Sequence, residues 1–101
     1  MLKGNHVEMQ MRKRITGDDR LDETVYECTV LPFDKEAEKL FLSLQNADLP
    51  VISLDAVYEC ILDSEEGRIA CDGLVTERYR NEYGNALEFS IDNGFYKISI
   101  K

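Results

Sequence analysis

The stretch Val57-Tyr58-Glu59-Cys60-Ile61-Leu62-Asp63-Ser64-Glu65-Glu66-Gly67-Arg68-Ile69-Ala70-Cys71-Asp72-Gly73-Leu74-Val75 decides the fold. In its first part Tyr58, Cys60 and Leu62 share one phase of a two-residue period, with Glu59 on the other. That is the pattern of a strand with one buried face. Asp63–Gly67 is polar and ends in glycine, as hairpin loops do. Ile69, Cys71, Gly73 and Val75 then resume the alternation through a strand spanning Arg68–Arg80. Gly73 inside it predicts a bulge or a sharp bend where a small barrel turns a corner.

The same period extends in both directions. Upstream, Tyr26, Cys28 and Val30 alternate within Thr24–Leu31, and Tyr26-Glu27-Cys28 repeats the tripeptide Tyr58-Glu59-Cys60. Downstream, Asn81–Asn85 reads as a turn, Ala86–Ile91 as a strand with Leu87, Phe89 and Ile91 in phase, and Asp92-Asn93-Gly94 as a tight turn. Phe95–Ile100 follows, with Tyr96, Ile98 and Ile100 in phase. Asp34–Leu44 fits two templates: a short helix capped by Asp34, or a turn followed by a strand at Lys39–Leu44 that would pair with Thr24–Leu31. Val51–Asp55 leads into the strand at Val57, after a loop at Asn46–Pro50. Val7, Met9 and Met11 alternate as an extra edge strand would, and equally suit a frayed arm. The expectation is an all-β, mostly antiparallel barrel of about six strands at residues 21–101, preceded by an arm at residues 1–20.

Composition narrows the class. The chain has 101 residues, 44% of them hydrophobic, with 12 Lys+Arg against 20 Asp+Glu and a net charge of -8. That length suits one domain, and this much apolar content is foreign to disordered tails. No apolar run approaches the ~20 residues of a membrane span. Met1–Gln10 lacks the apolar segment of a secretory signal, which predicts a cytoplasmic protein. The acidity argues against nucleic acid and anionic membranes as partners.

The charge is unevenly placed. Residues 1–20 carry a net +2, which leaves -10 on the remainder. The basic residues Arg12, Lys13, Arg14 and Arg20 have two readings: a solvated arm, or an arm that grips an anion or a partner. Cys28, Cys60 and Cys71 lie in alternating apolar runs and read as small buried hydrophobes. Their odd number and wide spacing argue against a disulfide framework. A metal site or a nucleophilic cysteine would have to recruit His6, the only histidine, from the expected arm, so no metal ligand and no cofactor is assigned.

Taken from Thr24 to Ile98, the order of these segments resembles the PilZ-type split β-barrels, and most closely the N-terminal barrel of bacterial flagellar-brake proteins. The resemblance rests on Val25–Leu31, Leu40–Leu44, the loop to Leu49-Pro50, Ile52–Ala56, Tyr58–Leu62 with Ile69–Val75, and Ala86–Phe89. PilZ domains that bind cyclic di-GMP carry an R-x-x-x-R arm before the first strand and a [DN]-x-S-x-x-G motif. Here no two arginines of the arm are four apart, and Val51–Ala56 keeps only the serine, Ser53. The resemblance therefore implies a regulatory or interaction module, as those N-terminal barrels are. A cyclic-dinucleotide sensor using Arg12, Arg14, Arg20 and Ser53 is the alternative, and a homo-oligomeric subunit pairing through Phe95–Ile100 or Val7–Met11 is a third.

Catalytic patterns are missing from the sequence. The acidic pairs Asp18-Asp19, Asp22-Glu23 and Glu65-Glu66 fall in expected turns, where solvation does not shift a carboxylate for acid–base work. The serines have no histidine partner besides His6. An enzyme is not expected. Arg78-Tyr79-Arg80 with Tyr83 is the one basic-aromatic cluster in the acidic body. It reads either as a protein interface or as arginines neutralising cross-strand acids with Tyr79 in the core.

Overall fold

The structure is a computed structural model that describes residues 6–15, 21–31, 38–64, 67–82 and 84–98. Six strands form a closed barrel: β1 (His6–Arg14), β2 (Tyr26–Val30), β3 (Lys39–Leu44), β4 (Ala56–Ser64), β5 (Gly67–Asn81) and β6 (Gly84–Lys97). Their order around the barrel is β1-β2-β3-β6-β5-β4, and every pairing is antiparallel. A 3-10 turn at Leu49–Val51 is the one helical element among the described residues. None of their helices is long and apolar enough to cross a membrane.

The alternating residues of all six strands meet inside. Val7, Met9, Cys28, Leu40, Leu42, Tyr58, Cys60, Cys71, Leu87 and Phe89 are fully buried. Each large apolar side chain sealed this way contributes about 2 kcal/mol of transfer free energy. Small barrels are filled by their own side chains, and this one follows that rule.

Four expectations need correction. His6–Arg14 is neither an arm nor an edge: it pairs with β2 along His6–Met9 and with β4 along Val7–Arg14, closing the barrel. Self-association through a free Val7–Met11 edge is therefore ruled out. Of the two templates for Asp34–Leu44, the turn-and-strand one holds at Lys39–Leu44, which puts Leu40, Leu42 and Leu44 inside; residues 32–37 lie outside the described ones. Val51–Asp55 does not enter the strand extended, since Pro50 sits in the 3-10 turn and β4 starts at Ala56.

Asp92-Asn93-Gly94 does not reverse the chain. Asn93 and Gly94 have φ of 67° and 73°, yet β6 runs through them and stays paired with β5. Asp92 faces Asp72 and Tyr96 faces Ala70, so four steps along β6 match two along β5. The left-handed pair absorbs two extra residues as a bulge. Parity is kept, which places Phe95 against the core and leaves Tyr96 outside at 43% exposure, the reverse of the expected phase.

Gly73 is not itself the bulge; it pairs regularly with Tyr58 and Ile91. It is a point of close approach. A Cβ there would lie 2.0 Å from the Ser90 carbonyl oxygen and 3.0 Å from the Phe89 ring. Backbone cannot yield at that distance without breaking the β5–β6 ladder. Gly73→Ala is expected to destabilise the barrel by about 3 kcal/mol, read as a lower urea midpoint with an unchanged slope.

Candidate functional site

β1, β3 and β5 end, and β2, β4 and β6 begin, at one mouth of the barrel. The connection between β3 and β4 folds over it. Ile52 is fully buried there as a plug, and the side chains of Tyr58 and Arg78 fasten the segment around it. The Ser53 backbone N–H donates to the Tyr58 hydroxyl at 2.9 Å, and Arg78 Nη1 donates to the Ile52 carbonyl at 2.7 Å and the Leu49 carbonyl at 3.4 Å.

Two bulges bring arginines to this mouth. Met11 faces Tyr58 and Lys13 faces Val57, so Arg12 is an extra residue in β1. Alternation restarts beyond it, and Arg14, opposite Ala56, takes the inward phase that Lys13 would have held. In β5, Val75 faces Phe89 and Glu77 faces Glu88, so Thr76 is extra. Arg78 thereby lies opposite the buried Leu87, on the inward phase, while Tyr79, opposite Ala86, is turned to the outer face. Bulges re-aim side chains in this manner. Tyr79 is half-buried there and is not part of the interior, contrary to one of its two readings.

Below the plug lie two buried phenols. Tyr26 donates a short hydrogen bond to the Asp22 carboxylate, which also accepts the Thr24 backbone N–H at 3.1 Å. Burial first, and then the Asp22 charge, push the Tyr26 hydroxyl up to about 12. Burial likewise raises Tyr58, whose phenol is within electrostatic reach of Asp22, Arg14 and Arg78. Partial burial works against ionisation of Asp22, but the Tyr26 and Thr24 hydrogen bonds and Arg14 together hold its carboxyl below the ordinary value. The mouth is thus an interlocked set of two arginines, one carboxylate and two phenols.

Arg14, Ser53 and Arg78, all singled out in the sequence, converge here. Arg12 does not: it lies on the outer face, 3.0 Å from Glu59 and 3.9 Å from Asp72, beside the Tyr96 hydroxyl that donates to Glu59 at 3.0 Å. Ser53 offers its hydroxyl oxygen to the Asp55 backbone N–H at 3.0 Å. Arg80 is exposed opposite Asn85, and Arg20 and Tyr83 lie outside the described residues. Asp22, Tyr26, Tyr58 and Ile52 were missed as site residues. Both tyrosines belong to the repeated Tyr-Glu-Cys triplets and sit near the upper ends of their strands, which is the signal that could have marked them.

Exposed apolar side chains gather around this mouth. Ile15, Leu21, Val25, Val51 and Leu54, each 40–55% exposed, occupy two of the three connections at this end. A depression of about 320 Å³ adjoins Ile15, bounded by Val57, Gly73, Leu74, Ser90 and Asp92. On the outer face of β1 and β2, His6, Glu8 and Glu27 bring three metal-ligating groups within 4.8 Å of one another. The cysteines are free and buried, and burial pushes the Cys28 thiol up to about 12.

Asp22 makes a signed pH prediction. Its folded pKa is depressed, so its contribution is present above the unfolded carboxylate range and is lost as the pH falls through the folded value. Tyr26→Phe removes the hydroxyl donor and is expected to cost about 1 kcal/mol at neutral pH, given the partial exposure. In urea titrations, the gap from wild type should shrink below pH 4 and stay constant between pH 6 and 8. In comparisons with known proteins, no protein family, curated protein or solved structure matches the chain.

Proposed function

We propose that this chain is a non-enzymatic, PilZ-like barrel module with a regulatory role, and that it binds a protein partner at the plugged mouth. The observation that carries this reading is the clustering of exposed apolar residues. Among the described residues, five of the six exposed large hydrophobics sit at that one end of a strongly acidic domain. Solvent exposure of this kind, rimmed by arginine and tyrosine, is the usual chemistry of a docking surface. The apolar side chains that all six strands send into the barrel support the non-enzymatic part, since small barrels are filled in this way.

Arg78 is a poor probe of such an interface, because its guanidinium fastens the plug and its reversal would disturb the fold. Exposed Leu54 and Val51 are better probes. A photo-cross-linking residue at Leu54 in cells is expected to trap one discrete protein, and Val51→Asp to abolish the adduct without changing thermal stability. The same residue at Arg68, at the other end, should trap little. Equal trapping at both positions, or none, would remove the reading.

A second reading draws on the convergence of Arg14, Ser53 and Arg78 around Tyr58: an anionic ligand such as a cyclic dinucleotide held at this mouth. Isothermal titration with cyclic di-GMP tests it. The reading expects binding heat that disappears in Arg14→Ala; the absence of heat in the wild type eliminates it.

A further inference from the structure

We propose that His6, Glu8 and Glu27 form a binding site for a divalent transition-metal cation of the zinc class on the outer face of β1 and β2. The expected mobile arm is in fact a paired strand, and that changes what His6 can do. His6 and Glu8 are two residues apart on β1 and share its outward face; Glu27 stands directly opposite Glu8 on β2. All three offer one ligand atom within 4.8 Å of the others.

The register carries a cost that calls for a cation. Two carboxylates placed directly opposite across an antiparallel pair repel each other. Among the described groups, His6 Nε2 lies 2.5 Å from Glu27 Oε1, and the Arg68 guanidinium stands 3.8 Å from Glu8 Oε1, a longer contact. A dication would neutralise both carboxylates at once. Bonds of about 2.0–2.2 Å set neighbouring donors roughly 3.3 Å apart, so side-chain rotation alone closes the three groups on one ion. Their backbones are already fixed by the β1–β2 ladder, which removes most of the ordering cost of assembling the ligands.

The donor set selects the metal. One imidazole and two carboxylates suit Zn²⁺ and its late first-row neighbours, whereas Ca²⁺ and Mg²⁺ prefer all-oxygen shells. Three protein ligands leave a fourth position for water or for a group from outside. His6, Glu8 and Glu27 are on the outer wall of the barrel and none of them belongs to the plugged mouth, so the site is tested separately from the partner reading.

His6 is the chain's only histidine, which makes the test direct. The probe is Zn²⁺ alone, titrated into the folded protein while the His6 ring resonances are followed by NMR. Saturable shifts are expected at one equivalent, with no response to millimolar Mg²⁺. Glu27→Gln should weaken binding by about tenfold or more, and Glu8→Gln plus Glu27→Gln should leave only the feeble affinity of a lone imidazole. An unresponsive His6, or a Zn²⁺ affinity unchanged in the double variant, would overturn the proposal. Both substitutions are on the outer face, so the unchanged far-ultraviolet spectrum of the variants serves as the folding check.

Discussion

The structure depends on one constraint: a sheet this small must leave its backbone paired around a full circle. β1 meets that constraint by bonding to β2 on one side and β4 on the other. Without it, β2 and β4 would be two open edges, each a template for wrong pairing. Its three apolar residues, Val7, Met9 and Met11, then supply one wall of the interior, so hydrogen bonding and burial are satisfied by the same segment.

Closing a circle forces curvature, and curvature accounts for the mouth. The bulges at Arg12 and Thr76 bend β1 and β5 towards the upper end of the barrel. Each also shifts the alternation by one residue, so an inward position passes from Lys13 to Arg14 and from Glu77 to Arg78. The arginine rim is thus a by-product of the bend. A cation at the edge of an apolar interior must find acceptors, and the Ile52 and Leu49 carbonyls serve Arg78. The plug is held by the groups that the bend supplied.

Most of the fold was legible because burial enforces a two-residue period. Tyr58, Cys60 and Leu62 announced their strand on that ground alone, whereas Leu40, Leu42 and Leu44 also fitted a helix and read as a strand only as the partner of Thr24–Leu31. What escaped was everything that depends on closure. Six strands were expected, but Ala86–Ile91 and the start of the next expected strand, Phe95–Lys97, merge through the Asn93-Gly94 bulge, and β1 takes the vacated place. A left-handed Asn-Gly pair serves a turn and a bulge equally well, and local chemistry does not separate them. The site was legible in part. Arg14, Ser53 and Arg78 stood out by charge or motif, but the phase shifts that gather them are set by cross-strand register. His6 was discounted for the same reason, since nothing local to residues 6–14 says that two neighbours await them.

Sealing all three cysteines inside has a consequence for the protein's exposure to oxidants. Cys60 and Cys71 face each other across β4 and β5, and burial raises the Cys60 thiol well above its ordinary range. Neither those two nor Cys28 presents a thiolate to solvent while the barrel is closed. Oxidant or alkylating agent can therefore reach sulfur only through an opening of the sheet. Modification would then trap the opened chain, so chemical damage falls on molecules that have already lost their fold and spares the working population.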